Sequence, residues 1–435
     1  MQPKNNKRTI RAWAFFDWAN SAYNLVITST IFPAYYVAIT DPKKIGGMVT
    51  FFGHKFVNTA LSDYTLAAAY LVVALLLPIL TSIADYRGNK KIFMQFFTWM
   101  GAISCGMLYF FKIETLESSM IFFGLAAIGY SGGFVFYNSY LPEIASLDMQ
   151  DKVSAKGFTY GYIGRVILQL ICFFFVLVTP FGMTQGTASQ LSFLMVGIWW
   201  IGFAFIPFII LPKGSPNARS HTHDLLRGGF VELGKVWKQV KNMPVLKRYL
   251  PAFFFYSMGV QTIMLVAASF AAKELGMDKT QLITTILIIQ IVAIGGATLM
   301  SRLSDKHGNI KVLAWVVAIW IGVCIGAYFT KNNIEFFILA GIVGLVMGGI
   351  QSLSRSTYSK LIPQDIPDSA SFFSFYDVTE KLAIVGGMFS FGLVDDLTGS
   401  MRNSALVLCV YFIAGLVLLL SLLRFQRKAT TAAQN

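Results

Sequence analysis

Phe15–Tyr36 reads FFDWANSAYNLVITSTIFPAYY. The stretch is apolar overall and long enough to cross a bilayer core, which takes roughly 20 residues of helix. It also carries Asp17, Asn20, Ser21, Asn24 and Thr28. Those positions fall at i, i+3, i+4, i+7 and i+11, which share one face of an α-helix. A polar stripe facing lipid is costly, so it must face protein or a water-filled path. An ionisable residue within such a stripe is a candidate functional group.

The rest of the chain has the composition such a stripe needs around it. Of 435 residues, 55% are hydrophobic and 15% aromatic, and only 13% are charged. A soluble chain would carry charge on roughly a quarter of its residues. The class is a polytopic α-helical membrane protein. The basic N-terminus (Lys4, Lys7, Arg8, Arg11) resembles that of a signal peptide. The apolar stretch behind it is too long, and no small-x-small cleavage site follows, so it stays as the first span. The net charge of +14 is read as loop anchoring and contact with anionic membrane lipid rather than nucleic-acid binding. Cys105, Cys172, Cys324 and Cys409 all fall inside apolar runs without metal-ligand spacing and read as core residues. His221-Thr-His223 has no carboxylate or cysteine cluster beside it, so no metal and no other cofactor is expected.

Twelve apolar runs can span: 11–38, 64–84, 91–111, 119–141, 157–180, 190–211, 249–272, 281–303, 311–330, 334–354, 370–393 and 404–424. The expected fold is an all-α membrane protein of twelve transmembrane helices in two six-helix halves. The halves are 1–211 and 249–435, joined by a linker at 212–248. If the N-terminus lies inside, inside loops hold 25 Lys and Arg and outside loops hold 8. That asymmetry puts both termini in the cytoplasm of a cell with the protein in its cytoplasmic membrane. In the linker, Phe230, Leu233, Trp237 and Val240 recur at helical spacing with Lys235, Lys238 and Lys241 elsewhere on the turn. They suggest an amphipathic helix on the inner membrane surface. The outer loop at 39–63, with Phe51-Phe52 near its centre, is read as a candidate cover over the outer mouth.

The halves repeat. Asp85-Tyr86-Arg87-Gly88-Asn89-Lys90-Lys91 after span 2 aligns with Asp305-Lys306-His307-Gly308-Asn309-Ile310-Lys311 after span 8, at an offset of 220. Tyr137–Pro142 matches Tyr358–Pro363 at an offset of 221. Duplicated six-span halves are a transporter architecture. In these turns Gly supplies the left-handed angle, Lys holds the loop inside, and Asp can cap a neighbouring helix. Asp85, Gly88, Lys91, Asp305, Gly308 and Lys311 are therefore read as a conformational latch, with Glu143 and Arg355 joining them.

The paired hairpins resemble the loop motif of the major facilitator superfamily, with Thr81 and Ser301 where that motif has Gly. A narrower resemblance is carried by four stretches. These are Asp17-Trp18-Ala19-Asn20-Ser21-Ala22-Tyr23, Asn138-Ser139-Tyr140-Leu141-Pro142-Glu143, Gly348–Ser356 and Phe375-Tyr376-Asp377-Val378-Thr379-Glu380-Lys381. Together they look like the branch named for an autophagy-related exporter of amino acids from the vacuole. The resemblance implies a secondary transporter with amino acids as a candidate cargo, and a cavity lined by spans 1, 4, 7 and 10.

Those spans do hold polar stripes: Gln261 lies in span 7 and Gln351 in span 10. Among the charges inside spans, Asp17 is expected to pair with Arg165, and Asp377 with Lys381 at i, i+4. An Arg or Lys could hold a substrate carboxylate, and a desolvated Glu380 could carry a coupled proton. The substrate-binding or coupling set is Asp17, Asn20, Asn24, Arg165, Gln261, Gln351, Tyr376, Glu380 and Lys381. The expected activity is alternating-access transport or efflux of a small molecule by a monomer. The alternative is a proton-driven exporter of hydrophobic compounds or lipids, which the 39 Phe and 18 Tyr would suit. No His-Glu-x-x-His, nucleophile elbow or P-loop occurs, so an enzyme is not expected.

Overall fold

In the computed structural model, residues 3–40, 48–213, 234–364 and 369–434 are described. His221, His223, Phe230 and Leu233 lie outside them. Eleven helices among the described residues are long and apolar enough to cross a membrane, from Lys7–Ile39 to Met401–Lys428. The twelfth expected span is Ser369–Thr398, a helix of 30 residues. It has the length but carries Asp377, Glu380 and Lys381 in its middle, more charge than a spanning window of the other eleven holds. Below, spans are numbered in chain order, and span 11 is this helix.

Span boundaries follow local chemistry. Asn6 starts span 1 by accepting from the backbone N–H groups of Arg8 and Thr9 at 2.9 and 3.3 Å. Asp278 and Gln281 form a reciprocal capping box at the start of span 8 (Lys279–His307). Span 2 (Asn58–Arg87) stops at Gly88, whose φ of 63° lets the Asn89 N–H reach back to the Ala84 carbonyl at 3.1 Å.

Span 1 is not the single α-helix that its polar periodicity suggests. It runs as α-helix over Lys7–Ala22, π-helix over Tyr23–Thr30 and α-helix again over Ile31–Ile39. Two local causes coincide. Pro33 has no N–H to give the preceding turn. The Ser29 and Thr30 hydroxyls donate to carbonyls five residues back, Asn24 at 2.9 Å and Leu25 at 2.7 Å, where they support the wider turn.

The segment between spans 1 and 2 is also more ordered than a loop. Met48–Phe51 (β1) and His54–Val57 (β2) pair antiparallel as a hairpin. Phe52 and Gly53 both have positive φ, 46° and 79°, the geometry of a tight primed turn. The Phe52 N–H donates to Glu117 at 2.8 Å.

The chain packs as two compact units. One comprises Met1–Tyr140, Tyr160–Glu232 and Pro367–Ser374, the other Leu141–Thr159, Leu233–Ile366 and Phe375–Asn435. The first turns of span 5 (Gln150–Val178) thus belong with the second unit, and those of span 11 with the first. Helix pairing repeats within each unit. Span 1 packs on 6, 3 on 6, 2 on 4 and 3 on 4; equally 7 packs on 12, 9 on 12, 8 on 10 and 9 on 10. The internal repeat seen in the turns is therefore a repeat of packing. Where backbones meet, small residues permit it: Gly101 and Gly129 touch between spans 3 and 4. In the linker, residues 234–241 are helical, and Val236 and Val240 face inward while Trp237 is half exposed and stacks on Phe375. Of the expected stripe Val240 faces inward and Trp237 does not, and Val236 takes the inward place one turn before Val240.

Candidate functional site

In the first unit the stripe of span 1 faces span 5. Gly161 and Gly164 let the helices close up: a Cβ on Gly161 would stand 2.6 Å from Ser21 Oγ, and one on Gly164 2.6 Å from the Trp18 carbonyl. Asp17 is buried, and the Tyr137 hydroxyl donates to its Oδ2 at 2.6 Å. Tyr137 is itself fixed by stacking on Trp13 and Phe16, with centroids at 4.4 and 4.8 Å, and by accepting from Trp13 Nε1 at its carbonyl.

The expected Asp17–Arg165 ion pair does not form. Arg165 instead lies over the Tyr162 ring at 4.0 Å, and its Nε has no hydrogen-bond partner among the described residues. The reason is local. Tyr162 sits three residues before Arg165 on one helix face, and a fixed phenol already occupies the carboxylate.

Asn20 is fully buried, yet neither its Oδ1 nor its Nδ2 finds a partner among the described residues. Asn24 is half-buried at the start of the π turn. Thr30 Oγ1, whose one proton goes to the Leu25 carbonyl, stands 3.0 Å from the side-chain amide of Gln169 on span 5. Span 1 thus offers a run of polar groups leading into a wider-than-α segment, with the buried amide of Asn20 left open just before it.

In the second unit, Gln261 of span 7 (Pro244–Leu275) donates from Nε2 to Glu380 Oε1 of span 11 at 2.7 Å. Glu380 is half-buried. On the same helix Asp377, one turn earlier, and Lys381, the next residue, make the local pair at 3.6 Å. Tyr376 stacks on Phe253 at 4.3 Å and leans on Tyr358 at 4.8 Å. Beside it, Tyr249, Tyr256 and Ser354 join their hydroxyls and the Ser354 carbonyl in one network at 2.8–3.0 Å. Gln351 Nε2 contacts Met264 Sδ at 3.3 Å. The structure therefore gathers Gln261, Tyr376, Glu380 and Lys381 into one cluster and sets Gln351 on the neighbouring span.

The turn residues divide. Asp85 caps the start of span 11, accepting from the N–H groups of Ala370 and Ser371 at 3.2 and 2.8 Å and from Ser371 Oγ at 2.7 Å. The lysine beside that cap is Lys90, not Lys91: Lys90 lies 4.2 Å over the Tyr140 ring and donates to Ser139 and Ser369. Lys91 instead caps the last carbonyl after span 6, Leu211, at 2.7 Å. Lys311 sits 5.3 Å over Trp315 of its own helix.

Asp305 pairs with Lys152 at 3.1 Å, a largely exposed contact. Gly88 and Gly308 both have the positive φ expected. Arg355, almost wholly buried, donates from Nε to Ser154 Oγ at 3.0 Å and from Nη2 to the Ser154 carbonyl at 2.8 Å. Ser154 in turn donates to the Ser352 carbonyl at 2.7 Å. Glu143 is half-buried just ahead of span 5.

A further second-unit cluster is built on a residue that sequence reasoning missed. Asp151 accepts from Lys360, from Asn309 Nδ2 at 2.7 Å and from Ser304 at 3.2 Å. The available signal was positional: Asp151 opens span 5 as Ser369 and Ser371 open span 11. Just before it, donation from the Ser146 hydroxyl holds the Asp148 carboxyl below its usual range.

Comparison with known proteins agrees with this construction. The family described as "Vacuole effluxer Atg22 like" matches residues 5–433. The chain is 33% identical to an uncharacterized MFS-type transporter, YxiO, of Bacillus subtilis, covering 94% of this chain and 93% of that one. It is 31% identical to autophagy-related protein 22 of Yarrowia lipolytica over 67% of this chain and 54% of the relative. Among solved structures, the human organic anion transporter MFSD10 superposes with a TM-score of 0.70 at 10% identity over 96% of this chain and 100% of that one. The proton:xylose symporter XylE gives 0.69 at 14% identity over 96% and 95%. These relatives are transporters and not enzymes. A twelve-helix repeat with charged and polar groups buried along its spans, matched over nearly its whole length, belongs to the Atg22-like vacuole effluxer family of the major facilitator superfamily.

Proposed function

We propose that the protein is a secondary active transporter that moves a small solute by alternating access of two six-helix halves, 1–211 and 249–435, and that Glu380 carries its coupling proton. The carrying observation is the Gln261–Glu380 contact at 2.7 Å beside the Asp377–Lys381 pair. A primary amide suits this task, since it donates to an ionised carboxylate and can accept from a protonated one. Glu380 is only half-buried, which leaves it within reach of water or cargo. In the first half, Arg165 and Asn20 hold unused hydrogen-bonding capacity and suit a carboxylate-bearing solute. Amino acids are the first class to test, from the family resemblance. The residues around Asp85 and Asp151 act as latches at helix starts. The protein works as a monomer in the cytoplasmic membrane with both termini inside.

The test is uptake of single labelled amino acids into proteoliposomes with and without an imposed pH gradient. Glu380→Gln is expected to abolish gradient-driven accumulation while leaving exchange of labelled for unlabelled amino acid intact. Arg165→Ala is expected to abolish both. Gradient-driven accumulation by Glu380→Gln at the wild-type level overturns the coupling role. Movement of ethidium or lipid with no amino-acid flux favours the exporter of hydrophobic compounds instead.

A further inference from the structure

The two ends of the second unit balance their charges differently. At one end Lys273 pairs with Asp395 at 2.8 Å and Arg402 with Glu274 at 3.0 Å. At the other, residues 234–250 and 420–435 hold eight Lys and Arg and no Asp or Glu. Seven of these are exposed and in no ion pair among the described residues. Lys238 and Lys241 stand on the linker helix, Lys247 and Arg248 in the first turns of span 7, and Arg424, Arg427 and Lys428 near the end of span 12. The last three share one face of their helix, at i, i+3 and i+4. Like charges gathered in this way repel one another unless an anion lies among them.

Packing brings the three segments together. Arg248 lies 3.9 Å over the Phe425 ring, which joins the start of span 7 to the end of span 12. The linker helix is seated by Val236, Val240 and the Trp237–Phe375 stack, and its Lys241 lies 5.5 Å over the Trp237 ring. Arg248 is also held from a second side, where Nη1 donates to the Pro244 carbonyl at 3.0 Å. That bond uses one of five N–H donors. An exposed guanidinium fixed in this way offers the rest of its fork to a phosphate, whose oxygens it can take two at a time. The depth favours a lipid as the source of that phosphate. The patch lies where two spanning helices meet the edge of the apolar core. Trp237, 43% exposed, supplies the amphipathic ring that prefers the headgroup level.

We propose that this end of the second unit binds an anionic phospholipid of the adjoining leaflet, its phosphate held by Arg248 beside Arg424 and Arg427, with the Trp237–Lys241 face of the linker helix lying along the neighbouring headgroups. Under the proposed topology that leaflet is the cytoplasmic one. The site depends on neither the cargo nor the coupling role of Glu380.

The test uses the full chain in phosphatidylcholine vesicles containing a trace of phosphatidylglycerol with a diazirine in its headgroup. A parallel sample carries the diazirine on the phosphatidylcholine headgroup instead. After irradiation and digestion, the anionic probe is expected to label the peptides around Arg248 and around residues 424–428 well above the zwitterionic one. Arg248→Gln should lower that label about fivefold, the worth of one cation at an anionic surface. Raising NaCl from about 0.1 to about 1 M, which shortens the Debye length from roughly 10 to roughly 3 Å, should lower it as well. An unchanged melting temperature reports that the variant is folded, and Arg427→Gln takes its place if Arg248→Gln melts lower. Equal labelling by the two probes overturns the proposal, as does label undiminished in a folded variant. Label competed away by inorganic phosphate overturns the assignment to bilayer lipid and makes the site one for soluble phosphate.

Discussion

Asn20 makes the sharpest claim of any single residue. A buried amide with both polar atoms open costs about 1–3 kcal/mol relative to an apolar group of similar shape. Asn20→Leu is therefore expected to raise the melting temperature in detergent while reducing amino-acid flux. A lower melting temperature would mean that Asn20 supports the fold rather than the cargo. Residue chemistry of this kind was legible in the sequence as far as position and no further. The spacing of Asp17, Asn20 and Asn24 located the stripe, but the partner of Asp17 is Tyr137, 120 residues away. Which of several phenols and cations reaches a carboxylate is settled by packing that no spacing rule encodes.

At the scale of elements, helix starts do the joining. Asp85 caps span 11, and Asp151, at the start of span 5, gathers Lys360, Asn309 and Ser304. Breaking a buried ion pair from one side typically costs about 3–5 kcal/mol, because the remaining charge stays buried. Here Asn309 and Ser304 would still solvate Asp151, so Lys360→Met should fall at the low end of that range. The double variant Asp151→Asn with Lys360→Met should cost less than the sum of the two single changes, read by thermal unfolding. Additivity would show that the pair is not coupled. The repeated Asp-x-x-Gly-Asn turns announced that these ends matter. They also pointed to Lys91 and Lys311, whose side chains reach a neighbouring helix end and a tryptophan instead. In a turn, adjacent residues point to different neighbours, so a motif names the place more reliably than the atom.

For the molecule as a whole, hydropathy pointed to twelve spans, eleven of which are apolar enough among the described residues, and the offset of 220 residues revealed the repeat. The hairpin of β1 and β2 was hidden because its ten residues carry too little alternation to stand out from a loop. Orientation rests on the uneven spread of Lys and Arg. With an impermeant maleimide on intact cells, Phe52→Cys at the hairpin tip should label at once. Lys428→Cys near the other end of the chain should label only after permeabilisation. The reverse pattern would invert the topology. The π segment Tyr23–Thr30 has a last consequence. Each of its turns stores a surplus residue, and one residue of α-helix is about 100° of rotation and 1.5 Å of length. Span 1 is therefore threaded like a screw with slack at its waist. Its outer end can swivel against its inner end, and the side chains of Asn24 and Thr28 can be dealt to a new neighbour, without any helix leaving its place.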